Sequence, residues 1–459
     1  MSAQQCPPQS PLDRPLRIAL LSYRSKPHCG GQGVYVRHLS RELAALGHDV
    51  TVISGPPYPE LDPVPGVRLV ELASLDLYRE PDPFRVPKLR EFRSRIDVLE
   101  FLLMCTAAFP EPWTFSLRAR RYLRSLPAAD RPDIVHDNQT LGYGMLGMQR
   151  DGFEVVANVH HPITVDRRLD LAAAPLRKQL STRRWYGFLR MQKRVVRQIP
   201  SILTVSQNSY VDVVRDFGVK PSAMCVIPVG VEHDVFCPPT VPRIPGRIVA
   251  TASADVPLKG IVPLLEAVAK LRTERDVHLI VVGQAREGGA AHRAIERLGL
   301  AGAVTFQTGL TEPALVAVFG SAQVGVVPSL YEGFSLPAIE LMACATPLVA
   351  TTAGALPEVV GDAALSVPPG DSDALAQAIG RLLDDPALAA QLGAAGRRRV
   401  VERYTWQAVA EQTAAFYRRH LAGQPHDNLP AAPAAPAASA SAPAVPTPYL
   451  LTDSETAAC

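Results

Sequence analysis

Residues 17–54, RIALLSYRSKPHCGGQGVYVRHLSRELAALGHDVTVIS, decide the fold. The run RIALLS at 17–22 is apolar and of strand length, the pattern of a strand buried on both faces of a parallel sheet. Cys29-Gly30-Gly31-Gln32-Gly33 turns the chain, and apolar residues recur at helical spacing from 34 to 46. Gly47 and His48 stop that helix, and residues 50–54 read as a second strand. Strand, helix and strand in this order form a βαβ unit, the building block of doubly wound sheets.

The same texture recurs on both sides of a proline-rich interval. Strand-like runs at 133–136, 154–159 and 201–205 each lead through polar or glycine residues into helical spacing. Residues 219–246, which include VIPVGVEHDVFCPPTVPRIPG, read as a linker. A second series has strands at 247–251, 278–282, 304–306, 324–327, 347–350 and 364–367. The fold class is therefore α/β, with two facing Rossmann-like doubly wound domains. The expected division is a disordered leader over 1–15, a first domain over 16–218, the linker, and a second domain over 247–404. A helix over 405–421 crosses back, and a Pro/Ala/Ser-rich tail over 422–459 lacks the apolar content to fold.

Composition narrows the function classes. A chain of 459 residues with a formal net charge of +3 is too nearly neutral for a dedicated nucleic-acid binder. The opening MSAQQCPPQSPLDRP has no basic-then-apolar signal pattern. The apolar segment FLLMCTAAF at 101–109 is shorter than the roughly 18 residues that span a bilayer. Seven scattered cysteines fit reduced thiols, so a cytoplasmic location is expected.

The candidate site lies in Tyr331-Glu332-Gly333-Phe334-Ser335-Leu336-Pro337-Ala338-Ile339-Glu340. A strand ending at Val327, Ser335 as N-cap and Pro337 in the first turn predict a helix starting near Leu336. Free amides from Gly333 to Leu336 would suit a diphosphate, since a helix N-terminus supplies donors and partial positive charge. Glu340, one turn inside, is placed to accept both hydroxyl protons of a ribose, while Glu332 can reach a sugar beyond the phosphates. Two acids eight apart are weak evidence without their context.

That context, PSLYEGFSLPAIELMACATPLVATTAGALPEVVGDAALSVPPGD, resembles the signature of retaining GT-B glycosyltransferases of family 4. The opening βαβ unit resembles the same family's first strand, double-glycine loop and helix, and the likeness covers residues 16 to 420. It implies a nucleotide-sugar donor, an unidentified hydroxyl acceptor, and no cofactor or metal. By this resemblance Glu332 contacts the donor sugar, Glu340 the ribose, and the amides of Gly333, Phe334, Ser335 and Leu336 the sugar and diphosphate. Gly30 and Gly31 match the glycine loop, Lys259 the phosphate-binding lysine, and His160 the active-site histidine, with His161 adjacent. The catalytic set so implied is His160, Lys259 and Glu332. One departure is Ser253, near the place where the family carries a phosphate-binding arginine; Arg286 is a candidate substitute. Rival readings are a phosphorolytic or epimerising enzyme of the same fold, or a non-catalytic protein that binds nucleotide-sugars.

Other patterns carry plainer readings. G-x-G-x-x-G is absent and residues 50–54 are followed by Gly55, which disfavours hydride transfer. Asp371-Ser372-Asp373 reads as a helix N-cap and His136 as a core histidine. Residues 176–198 carry eight basic side chains and no acid, alongside Trp185, Tyr186 and Phe188. Such a segment fits a solvated helix as well as an anionic acceptor or peripheral contact with an anionic membrane at its inner face. The arginine-rich residues 84–126, with Trp113 and Phe115, could frame an acceptor groove.

Overall fold

The computed structural model describes residues 14–25, 31–79, 81–251 and 256–425. Gly30, Ser253, residues 1–13 of the leader and residues 426–459 of the tail lie outside the described residues. The first sheet contains β1 (Arg17–Ser22), β2 (Asp49–Ser54), β3 (Val67–Glu71), β4 (Ile134–Asn138), β5 (Val155–Val159), β6 (Ile202–Thr204) and β7 (Met224–Val226). Their spatial order is β3-β2-β1-β4-β5-β6-β7, and every pairing is parallel. The second contains β8 (Ile244–Thr251), β9 (His278–Val282), β10 (Val304–Gln307), β11 (Ala322–Val327), β12 (Leu348–Thr351) and β13 (Leu365–Val367). Its order, β10-β9-β8-β11-β12-β13, is again wholly parallel.

Burial explains why these runs are strands. All five residues of β4 and all five of β5 are buried, as a sheet with helices on both faces requires. Two strands differ from the sequence reading. β3 is half-exposed at one edge, and its VRLVE pattern is too mixed to announce a buried strand. β7 falls within 219–246, residues read as linker, and β8 begins inside that interval too, at Ile244. The prolines nearby do not forbid β7, because an edge strand forms a ladder on one side only.

The chain leaves the first sheet and returns to it along one track. Val231 forms an isolated parallel bridge with Thr405, and its amide donates to Tyr404 O at 2.8 Å. Gly230 makes this possible, since a Cβ there would lie 2.7 Å from the Trp406 nitrogen. Thr405 caps the last described helix, Trp406–Leu421, which packs on the helix Gly31–Ala45 of the first sheet. Trp406 stacks on His38 at 5.1 Å, and Ser201 Oγ lies 2.8 Å from His420 Nδ1. The Tyr417 hydroxyl lies 2.5 Å from Nδ1 of His136, whose burial pushes it down to about 3 and keeps the ring neutral. Among the described residues no helix is long and apolar enough to cross a membrane.

The His136–Tyr417 contact yields a test of how the last helix is held. Among the described residues His136 Nε2 is buried without a partner and Nδ1 meets only the Tyr417 hydroxyl, so Tyr417→Phe removes that hydrogen bond from a buried imidazole. The expected loss is about 1–3 kcal/mol in urea unfolding. An unchanged midpoint would show that this bond contributes nothing to holding the helix.

Candidate functional site

In open α/β sheets ligands bind beyond the carboxyl ends of the strands, where the strand order reverses. In the second sheet that point lies between β8 and β11. The chain resumes after β8 in the short turn Pro257–Lys259, followed by Gly260 and the helix Ile261–Leu271. After β11, residues 328–335 form a loop that leads into the helix Leu336–Ala343. Gly260 adopts φ +63°, and a Cβ on it would stand 1.9 Å from Pro328 O. Glycine is therefore required for the two loops to touch. Leu330 N donates to Leu258 O at 2.7 Å across the same contact.

This approach seats Lys259 against Glu332. Lys259 Nζ donates to Glu332 Oε1 at 2.8 Å, and Ser329 Oγ donates to the same oxygen at 2.7 Å. Glu332 is only 8% exposed, so the pair sits where solvent screens it weakly. Its Oε2 makes no hydrogen bond to any described residue. The Glu332 carbonyl accepts from Ala355 N at 2.9 Å, which holds the loop from behind.

The opposing wall comes from the carboxyl ends of β4 and β5. His160 follows β5; its amide donates to Gln139 Oε1 and its Nε2 faces Asn138 Oδ1, both at 2.7 Å. With that oxygen opposite, the hydrogen-bond network assigns the ring proton to Nε2. The ring meets Tyr35 edge-on at 4.9 Å. Burial, reinforced by His161 and His136, pushes His160 down to about 3, even though its edge stays partly open. His160 is thus a neutral hydrogen-bonding group near pH 7. The His161 ring is directed to Asp166, with Nε2 3.8 Å away, while its backbone carbonyl accepts from Gln139 Nε2 and its Cβ lies against Gly333.

The walls meet at Gly333. Its carbonyl accepts from Ser206 Oγ at 2.6 Å and from Ser209 Oγ at 3.0 Å, and Ser209 Oγ also lies 2.9 Å from His160 O. Tyr331 reaches across to Asp212 at 2.7 Å. Gly31 opens its helix opposite Leu336, whose side chain would stand 3.9 Å from a Cβ on that glycine. Gly31, His160, Lys259 and the loop from Glu332 to Leu336 therefore converge on one cleft.

Two residues behave differently from the sequence expectation. Ser335 precedes the helix, but its side chain does not cap it; φ is +104° and Oγ is buried without a partner among the described residues. A serine cap needs extended backbone, and this turn adopts a positive φ that costs a non-glycine residue energy. Phe334 sends its ring into the core against Tyr404 at 5.6 Å, which leaves its backbone as the part facing the cleft loop.

Glu340 lies one turn into the helix. Its carboxylate makes no hydrogen bond or ion pair among the described residues, and burial followed by Glu312 pushes it up to about 7. Arg286 follows β9 on the same carboxyl edge, with an exposed side chain. His38, Glu232 and Glu312 offer ligand atoms within 4.8 Å of one another, a possible metal set. Glu232 already pairs with Arg41, and Glu312 with Arg37 at 3.2 Å. Asp371 caps the helix Ser372–Asp384 through Asp373 N and Ala374 N, as expected from its sequence context. Sequence reasoning missed Ser329, whose partner Glu332 lies three residues on in the same loop, and Asn138, Gln139, Ser206 and Ser209, because nothing local marks a polar residue as lying opposite a distant segment.

Comparison with known proteins bears on the family and the fold. Residues 245–385 match the family described as glycosyl transferases group 1, and residues 29–235 match glycosyltransferase family 4. The MMP alpha-(1->4)-mannosyltransferase of Mycolicibacterium hassiacum is 55% identical over 89% of this chain and 99% of its own length. A glycogen synthase of Mycobacterium tuberculosis is 28% identical over 90% of this chain and 98% of its own. Sucrose-phosphate synthase from Thermosynechococcus elongatus superposes with a TM-score of 0.67 at 26% identity, covering 89% of this chain and all of that one. Anabaena HepE, solved with UDP-glucose, shares the fold at 17% identity, with a TM-score of 0.62 over 87% of this chain and 98% of its own. The two parallel-sheet α/β domains are those of GT-B glycosyltransferases.

Glu340 yields a test with a definite sign. A carboxyl whose folded pKa lies above its unfolded value of 4.5 lowers stability progressively between about pH 4.5 and 7, since the folded state holds the proton longer. Glu340→Gln should therefore gain melting temperature over the parent at pH 8 but not at pH 4.5. Its affinity for free nucleoside diphosphates should fall about tenfold or more by calorimetry, the scale of a lost charge-assisted contact. Unchanged affinity would remove Glu340 from the ribose site.

Proposed function

We propose that this chain, which belongs to glycosyltransferase family 4, moves a hexosyl group from a nucleoside diphosphate sugar to an acceptor hydroxyl with retention of anomeric configuration. The Lys259–Glu332 pair at the strand-order reversal, next to Gly333 where the loop meets the His160 backbone, is the observation that carries this reading. The mannosyltransferase relative supports mannose as the hexose, and the HepE complex with UDP-glucose supports a nucleotide-sugar donor.

In this reading the second domain binds the donor and the first the acceptor. Glu340 accepts the ribose hydroxyls, while Glu332 and the neutral His160 orient the sugar. The C1–phosphate oxygen bond breaks as the acceptor oxygen bonds C1 from the same face. The acceptor proton passes to the departing diphosphate oxygen, so the products are a glycoside and a nucleoside diphosphate. Charge develops on that diphosphate, where Lys259 and the amides before Leu336 stabilise it in place of a metal ion. Lys259 is released to the phosphate when the sugar engages Glu332, which links donor binding to the charge that catalysis needs.

The reading is tested by incubating the protein with a panel of nucleotide-sugars and saccharide, lipid and small-molecule acceptors, followed by mass spectrometry. A new glycoside is the expected product; release of sugar phosphate alone, or an epimerised donor, would overturn it. Lys259→Ala should lower turnover about 10²-fold or more, the scale of one lost transition-state donor, while donor affinity falls less. Near-normal turnover would place the phosphate elsewhere.

A further inference from the structure

An aromatic shelf runs outward from the carboxyl end of β1. Tyr23, the residue after β1, lies 6.4 Å from Phe109 edge-on. Phe109 lies 5.0 Å from Trp185, and Trp185 lies 6.0 Å from Phe84. Phe84 also packs on Tyr78 at 5.3 Å, yet remains 53% exposed. Its backbone is held at φ +65°, a conformation that costs a bulky residue energy.

The flanking contacts keep it there. Arg85 is buried, donates to Leu75 O at 2.7 Å and grips Glu91 through both carboxylate oxygens. Phe84 N donates to Leu77 O at 2.7 Å. Arg184 anchors the far side by donating to Thr106 O at 3.3 Å. A strained turn, clamped on both sides, thus displays a ring that burial would otherwise claim.

At the cleft end the shelf becomes polar. Arg24 lies 3.4 Å from the buried Glu111 and 3.5 Å from Tyr78 O. Aromatic faces that grade into a guanidinium–carboxylate pair match the chemistry of a pyranose, with apolar C–H faces and a rim of hydroxyls. We propose that Phe84 and Trp185 form the distal subsite for an extended saccharide acceptor, whose successive rings lie along the shelf toward Arg24 and the cleft. This rests on the reading of the first domain as the acceptor half. Exposed Leu176 and Leu180, on one face of the basic helix Leu176–Trp185, make an anionic bilayer the competing occupant. Tyr23 follows β1 at the same carboxyl edge as β4, where Leu21 lies opposite Asp137, so the rings begin beside the wall formed by Asn138 and Gln139, which favours the saccharide.

Initial rates are to be measured with methyl α-mannoside and with α-(1→4)-linked mannohexaose at saturating donor, for the parent, Phe84→Ala and Trp185→Ala. Both variants should raise KM for the hexamer about tenfold while changing KM for the monosaccharide and kcat less than twofold. Equal losses for both acceptors, or an unchanged preference for the hexamer, would overturn the subsite. Tryptophan emission titrated with mannohexaose provides a second readout that needs no turnover. It should saturate in the parent and weaken in Phe84→Ala, even if the proposed transfer reaction were wrong. No response in the parent would sink the proposal. So would loss of sedimentation with phosphatidylglycerol vesicles in both variants while hexamer KM stays at the parental value.

Discussion

The backbone contact between Gly260 and the Pro328 carbonyl sets the geometry of the cleft. A side chain at 260 would collide with that carbonyl, so only glycine lets the turn after β8 lie against the loop after β11. The 2.8 Å Lys259–Glu332 pair follows from this approach, as does the hydrogen bond from Leu330 N to Leu258 O. The loop is then clamped by Ser329 below and Ala355 behind, which fixes where the helix Leu336–Ala343 begins. Lys259 and the start of the helix Leu336–Ala343 are thereby brought together from two strands.

The ionisable groups around that point are differentiated by environment. His160 is neutral because burial and two neighbouring imidazoles disfavour its protonation. Glu332 is held beside a lysine, whereas Glu340, with no partner among the described residues and Glu312 nearby, resists ionisation. A carboxyl that ionises reluctantly when alone gains most from ligand hydroxyls that donate to it. These contrasts suit a cleft whose polar groups are completed by a ligand.

The halves are joined by few backbone crossings. Residues near Val231 and Thr405 run side by side, and the helix Trp406–Leu421 then docks on the first sheet through Trp406, Tyr417 and His420. One buried apolar cluster contains side chains of both halves, and beside it polar contacts cross the cleft, with Ser206 and Ser209 on Gly333 and Tyr331 on Asp212. Such bonds can be exchanged for water or ligand far more readily than a packed apolar face can be opened.

The sequence by itself determined the alternation of strands and helices, because apolar periodicity is a local property: the runs at 17–22 and 278–282 match β1 and β9 residue for residue. It also marked Glu332 and Glu340 through the strand end, turn and proline around them, whereas Lys259 was picked out only by the family resemblance. Edge strands β3 and β7 were illegible, because a one-sided ladder imposes little apolar pattern. Ser335 is identical in sequence to an ordinary cap; only the turn's left-handed backbone strips it of that role. Likewise His160 and His161 are equivalent as letters, and tertiary structure alone turns one toward Asn138 and Tyr35 and the other toward Asp166. Strand alternation and turn chemistry are carried by neighbours in the chain, whereas Lys259 reaches Glu332 across 73 residues and Asn138 reaches His160 across 22, separations that no local pattern encodes.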